Sequence, residues 1–315
     1  MRFRYGRHET FAVRHGWLTK ALRRIEGADG DLTPNLDTAD ALGLGSKMVQ
    51  SLQFWTEATG LVEAREPATS RSARGGSSYK LSPLGRTIFE RDPFMEYPAT
   101  WWFLHMELCS SEGTVWSWFF NAFDERHFDR NACTDAFLRH TQEKAVNPAT
   151  PATAQKDVAC LLAAYASTAT TLNADDRAAP GARGASSDEE GVAASPLRDL
   201  GLIVRHDVVN RYERVRAPDR IPAEVFLACA SRLAARADSD SVALSDLERL
   251  ANGPGRVLCL GSGSLERAVD EAVEAYAHRG VRSELLGAGL HLIVPRLEPE
   301  TWLQLHFDRI GVTRP

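Results

Sequence analysis

Apolar residues recur at near-helical spacing over residues 10–25, where Phe11, Leu18, Leu22 and Ile25 share a face with Trp17 beside them, so the spacing predicts a first helix. A polar turn follows at 29–33. Residues 37–52 then read as a short helix, a glycine turn and a longer helix, with Ser46 expected as N-cap and Met48, Leu52 and Trp55 forming a stripe alongside Val49. This is helix-turn-helix punctuation. Gly60 stands where a helix C′ glycine belongs, residues 61–64 alternate like a strand, 78–81 return as a second strand, and Ser82-Pro83 opens another helix. Together these elements describe a winged helix whose wing carries Arg65, Arg71, Arg74 and Lys80.

From 97 to 128 the pattern turns aromatic, with Trp101, Trp102, Phe103, Trp116, Trp118, Phe119, Phe120 and Phe123, which reads as a helical core rather than a stacking platform. A second winged-helix-like pattern follows: helices near 133–141 and 153–162, then a hairpin from 202–205 to 212–215. Between them, 173–195 is a Gly/Ala/Ser/Asp tract expected to be a mobile loop. The last third reads as helix (223–236), helix (245–251), strand (256–260), helix (264–279) and strand (290–294). Gly261-Ser262-Gly263-Ser264 lacks both the third glycine of a dinucleotide loop and the Lys of a P-loop, so Ser264 is expected to be a plain N-cap and no nucleotide or organic cofactor is expected. The fold class is therefore α+β, mainly helical. It divides into a winged-helix DNA-binding domain (1–95), an aromatic helical domain with the second winged-helix-like unit (96–216) and a small C-terminal α/β cap (217–315).

Composition changes this picture only modestly. The 315 residues are 43% hydrophobic and 25% charged, ordinary for a globular chain, which excludes collagenous, fibrous and disulfide-scaffold classes. Five cysteines at 109, 133, 160, 229 and 259 are too far apart for a CxxC clamp and read as reduced thiols. The longest apolar run, residues 160–166, is too short to span a bilayer, so a cytoplasmic protein with no membrane partner is expected. The overall charge of −5 argues against a polyanionic partner, but residues 1–25 alone carry +6. The basic end is where DNA would bind.

Several segments resemble one family. The opening Gly6-Arg7-His8-Glu9-Thr10-Phe11, then Leu42-Gly43-Leu44-Gly45-Ser46-Lys47-Met48-Val49, Tyr79-Lys80-Leu81-Ser82-Pro83-Leu84-Gly85, Asp92-Pro93, Pro98 to His105, Trp116 to Asn121, Asp157-Val158 and Leu200-Gly201-Leu202 are similar to SspB-type proteins of bacterial single-strand DNA phosphorothioation and phage-defence clusters. Arg7 is a small departure. The resemblance implies a nickase that cuts one strand of double-stranded DNA so that sulfur can replace a phosphate oxygen, beside a cysteine desulfurase, an ATPase and an ATP pyrophosphatase-like protein.

Phosphodiester hydrolysis needs a nucleophile, charge neutralisation and either a carboxylate-bound metal or an acid–base pair. His8 and Glu9, set among Arg4, Arg7, Arg14 and Lys20, supply these within 17 residues, with Glu9 as the ligand for Mg²⁺ or Mn²⁺ and Arg14 and His105 as further catalytic candidates. The bland alternatives are an ion pair between Glu9 and Arg14, a helix-capping His8 and a core His105. Lys47, Gln50, Ser51 and Gln53 occupy the polar side of the second helix of the pair and would contact DNA there; Arg71, Arg74 and Lys80 would add salt-dependent affinity from the wing. Asp157 beside Lys156 reads as a surface ion pair. Two other functions remain open: a non-catalytic DNA-recognition subunit or transcriptional regulator, and a scaffold that binds the ATPase through residues 217–315.

Overall fold

The structure, a computed structural model, describes residues 1–28, 30–65, 78–168, 194–206, 210–216, 221–287 and 289–313. The wing arginines Arg71 and Arg74 and nearly all of the 173–195 tract lie outside these residues. Over the described residues the protein is mainly helical with three small sheets.

Helix α1 (Trp17–Gly27) starts later than the periodicity implies, because Gly16 caps it in the left-handed region at φ 76°. Phe11 lies in the preceding irregular segment, where its carbonyl accepts from Trp55 Nε1 at 2.9 Å. Helix α2 (Leu36–Leu42) is capped by Asn35, whose side chain accepts from Thr38 N at 2.8 Å. Gly43 at φ 62° turns the chain into α3 (Ser46–Ala58). The cap of α3 is Gly45, not Ser46, which is the first helical residue. Strands β1 (Val62–Ala64) and β2 (Tyr79–Leu81) pair antiparallel, Val62 opposite Leu81. Helix α4 (Pro83–Arg91) begins as its sequence predicts, Ser82 Oγ accepting from Gly85 N at 2.9 Å with Pro83 at the first position.

Helices α5 (Pro98–Ser110) and α6 (Val115–Ala122) bury their aromatic residues almost completely, so the tryptophan-rich stretch is core, as predicted. The second helical pair is α7 (Arg130–Lys144) and α8 (Pro151–Tyr165). Strands directly before α7 and after α8 join a four-stranded sheet ordered β3 (His127–Phe128), β6 (Arg211–Arg214), β5 (Ile203–His206), β4 (Ala166–Thr168), in which β4 and β5 are parallel and the hairpin β5–β6 antiparallel.

The last third holds α9 (Ala223–Arg236), α10 (Leu244–Arg249), α11 (Pro254–Val257), α12 (Ser262–Tyr276) and α13 (Pro299–Arg309). Its sheet, ordered β7 (Ser241–Ala243), β9 (Gly289–Ile293), β8 (Arg282–Leu286), is wholly antiparallel, so this part is α+β rather than α/β. The expected strand at 256–260 is absent. Pro254 starts the short helix α11 there, and residues 258–260 are buried irregular chain, since a short apolar run does not distinguish strand from helix by period. Ser264 is likewise not the cap of α12; Gly261 is, and Ser264 Oγ donates back to its carbonyl at 2.8 Å.

Buried apolar residues from all three parts form one continuous cluster, and α13 packs on both α4 and α5. The N-terminal segment is strapped to the middle of the molecule: Arg4 N donates to Gly113 O at 2.8 Å and Phe3 N to Asn147 Oδ1 at 3.0 Å.

Candidate functional site

The strap leads into a tight loop at residues 6–10, closed by hydrogen bonds from Glu9 N to Gly6 O and from Phe11 N to His8 O. Glu9 and Thr10 both take left-handed backbone conformations, at φ 46° and 66°. For non-glycine residues, and for a β-branched threonine above all, this is strain of order 1 kcal/mol each that the surroundings must offset. Asp157 on α8 offsets it: its Oδ1 accepts from Gly6 N at 3.0 Å and lies 2.9 Å from His8 Nε2. His8 Nδ1 accepts from Thr10 N at 3.1 Å, so the ring proton sits on Nε2 and donates to Asp157. Both side chains are buried, and Trp116 and Phe54 meet the imidazole edge-on.

Asp157 is therefore no surface ion pair. It stands directly before the buried run of α8, a position that composition alone does not separate from a solvated one.

Above the His8–Asp157 pair opens a cleft of 660 Å³, lined by Glu9, Lys47, Thr150, Thr153 and Lys156 among others. Two helix starts meet here. Lys47 lies in the first turn of α3, which has no side-chain cap, and Thr150 and Thr153 belong to the start of α8. The uncapped first-turn N–H groups of α3, with the dipoles of both helices, favour an anion at such a place; α8 offers fewer donors, since Thr150 Oγ1 accepts from Thr153 N at 3.2 Å and Pro151 has no N–H. Lys47 is 80% exposed and 3.9 Å from Glu9 Oε2, a loose pair that a phosphate can displace.

Glu9 and Asp157 bring two carboxylates to one cleft. Among the described residues no group of three or more His, Cys, Asp or Glu is assembled that could hold a metal. Asp157 is buried with Oδ1 taken by Gly6 N and His8 Nε2, which leaves Glu9 as the accessible carboxylate, and a hydrated Mg²⁺ or Mn²⁺ that keeps several waters and takes phosphate oxygens from a substrate needs as few as one.

The other predicted residues scatter. Arg14 does not pair with Glu9; its guanidinium stacks over Trp17 and Phe11, 5.4 and 5.9 Å from the ring centroids. Arg4 donates to Ser111 Oγ at 2.6 Å, and Lys20 to Leu42 O at 2.9 Å. Arg7 and Gln50 are exposed. Lys80 is paired with Glu63 at 2.8 Å. Ser51 and Gln53 turn inward: Ser51 is fully buried and Gln53 Nε2 donates to Tyr79 Oη at 2.5 Å, so neither presents a polar face to a groove. From Ser51 onward α3 is covered, and its exposed polar side chains lie in the first turns.

His105 is fully buried, far along α5. Nε2–H donates to Val257 O at 2.8 Å and Nδ1 accepts from Tyr165 Oη at 2.7 Å, and burial drives the imidazole pKa down to about 4. With no exposed atom it is a neutral core histidine, the bland reading of the sequence, and it meets no phosphate in this arrangement.

A model for a family described as proteins of unknown function (DUF4007) matches residues 5–292. The chain belongs to the DUF4007 family. The match takes in every residue that lines the cleft. Among solved structures, the DUF4007 chain is similar to a magnesium ion-bound SspB crystal structure, with a TM-score of 0.79 and 23% identity over 99% of this chain and 89% of the other. A further SspB crystal structure gives a TM-score of 0.78 and 21% identity over 98% and 88% of the two chains. Comparison with curated proteins finds no match. The likeness establishes that this DUF4007 protein has the SspB fold, the level at which the resemblance seen in the sequence is met.

Proposed function

We propose that this protein binds double-stranded DNA and nicks one strand, in the phosphorothioation and phage-defence chemistry of SspB-type proteins, alongside a cysteine desulfurase, an ATPase and an ATP pyrophosphatase-like protein. The observation that carries the reading is the cleft in which two helix starts, Lys47 and Lys156 face the carboxylates Glu9 and Asp157. The fold shared with SspB supports it, as does the +6 charge of residues 1–25. We read α1 to β2 as a winged helix: α3 packs on α1 and α2, and the β1–β2 hairpin follows. In that reading Lys47 and Gln50, at the start of the recognition helix, reach the groove, as the first residues of such helices do. Arg4, Arg7, Lys20 and Lys80, with Arg71 and Arg74 of the wing, add phosphate contacts.

A phosphodiester in the cleft places its developing negative charge against Lys47, Lys156 and the uncapped first-turn N–H groups of α3. Glu9, held by its strained loop at the mouth, takes the proton of the attacking water as one P–O ester bond breaks, and the departing sugar oxygen takes its proton from solvent. His8 acts as a positioning residue, since both ring nitrogens are committed to Asp157 and Thr10. Mg²⁺ or Mn²⁺, when held through Glu9, would supply Lewis-acid polarisation of the phosphate.

Conversion of supercoiled plasmid to open circle, with Mg²⁺ or Mn²⁺ against EDTA, tests this. Glu9→Ala is expected to slow nicking by about 10²-fold or more while leaving DNA affinity within about threefold. One observation favours the rival DNA-recognition subunit: the His8–Asp157 pair is fully satisfied and buried, as a purely structural clasp would be. Wild-type protein that binds plasmid but never relaxes it would establish that rival.

A further inference from the structure

A second cleft, of 390 Å³, opens between the β5–β6 hairpin and the start of α12, and five arginines line it, Arg126, Arg214, Arg216, Arg249 and Arg256, against two carboxylates, Asp124 and Glu248. Much of the acid is already engaged. Asp124 accepts from Arg256, and Glu248 accepts from Ser262 Oγ at 2.8 Å. Arg126 pairs with Glu213 at 2.8 Å. Among the described residues Arg216 and Arg249 have no ion-pair partner.

Arg214 is the unusual member. It is 9% exposed, and every acceptor around it is neutral: Phe123 O at 2.5 Å, Phe120 O at 2.9 Å, Arg256 O at 3.2 Å and Cys259 Sγ at 3.2 Å. Phe119 and Phe120 enclose the guanidinium, 5.5 and 5.7 Å from its centre. These bonds use four of its five N–H donors and leave the charge itself uncompensated, which burial penalises. The chain also bends to make this arrangement. Cys259 adopts a left-handed φ of 54°, which brings its sulfur onto Arg214 and delivers Gly261 as the cap of α12.

Helix α12 starts open. Gly261 offers no side-chain cap and the first turn carries no acid. Ser264 N and Leu265 N both return to Gly261 O, which leaves the N–H groups of Ser262 and Gly263 for an outside acceptor. The buried unpaired guanidinium, the two free arginines and the open helix start lie around one cavity.

We propose that this cleft is a phosphate-binding site, with Arg214 as its floor, Arg216, Arg249 and Arg256 on its walls and the first-turn N–H groups of α12 as further donors. It extends beyond the nicking reading and does not depend on it. The phosphate belongs either to a DNA backbone or to a small phosphorylated ligand.

The test uses the full chain as wild type, as Arg216→Ala/Arg249→Ala, and as a charge-matched control, Arg279→Ala/Arg282→Ala. Arg214 is left intact because its removal would strip four core hydrogen bonds. Inorganic phosphate, titrated against chloride at constant ionic strength, is expected to raise the melting temperature of wild type and control saturably by about 2–4 °C, and to leave the double variant unmoved. No saturable shift in wild type, or the same shift in all three proteins, overturns the site. Fluorescence anisotropy with a DNA duplex then identifies the source. A loss of about tenfold in affinity, with a salt slope smaller by about 2, assigns the phosphate to DNA; unchanged DNA affinity alongside a lost phosphate response assigns it to a small ligand.

Discussion

His105 shows how an acid–base residue is turned into core. A carbonyl on one side and a tyrosine hydroxyl on the other fix the neutral tautomer, and complete burial removes any room for a proton. Its pKa of about 4 lies below the ordinary value of 6.5, so the unfolded chain binds this proton more readily than the folded one. The resulting stability is fully present above pH 6.5 and drains away as pH falls towards 4. We expect chemical denaturation of wild type to lose on the order of 3 kcal/mol over that window from this residue, and His105→Gln, which cannot charge, to show a flatter profile there. An unchanged slope in the variant would remove His105 as the cause. Glu224 has the same sign, its folded pKa also lying below the ordinary value, but it acts at lower pH. Burial pushes its carboxyl up, but hydrogen bonds from His306, Arg309 and Tyr276 outweigh that and hold it at about 2, so its contribution survives until far lower pH.

At the scale of elements, caps and glycines explain most of what was legible from sequence. Ser82-Pro83, Gly43 and Gly60 mark helix ends because each supplies a backbone conformation or an acceptor that the ends require. Gly85 adds a constraint the sequence hides. A Cβ there would lie 2.0 Å from Leu61 O, because the first turn of α4 packs directly on the backbone that enters β1. Gly85→Ala, which would stabilise an exposed helix by about 1 kcal/mol, is therefore expected to destabilise this one by about 1–3 kcal/mol, measured by urea unfolding. The elements that were misread have physical reasons. The apolar run at 257–260 carries no period to separate strand from buried coil, and Phe11 fell in phase with α1 although Gly16 breaks the helix between them. The polar face expected on α3 shrank to its first turns, since Ser51 and Gln53 satisfy partners inside the molecule. Half of the candidate site was readable as His8 and Glu9. Its other half, Asp157 with the start of α8, lies about 150 positions away in sequence, and no local pattern joins the two.

For the whole molecule, charge asymmetry decides what can bind where. In the proposed function, a chain of net charge −5 would meet DNA only through faces that present cations, and the cleft presents Lys47 and Lys156. Lys47→Ala/Lys156→Ala is expected to weaken duplex binding about tenfold and to reduce the slope of log affinity against log salt by about 2, without altering the urea midpoint. Affinity unchanged by that variant would move the DNA to another face. The three expected units, 1–95, 96–216 and 217–315, share one apolar cluster, so we treat them as regions of one cooperative structure rather than as beads on a string.

The strap at the N-terminus has a consequence for biosynthesis. Phe3 and Gly6 are synthesised some 150 residues before their partners, Asn147 and Asp157. The growing chain must therefore hold this basic segment unplaced over that stretch of synthesis, and the cleft comes into being only when α8 emerges to clasp it. A nascent chain arrested before residue 147 carries the arginines without the pocket that organises them.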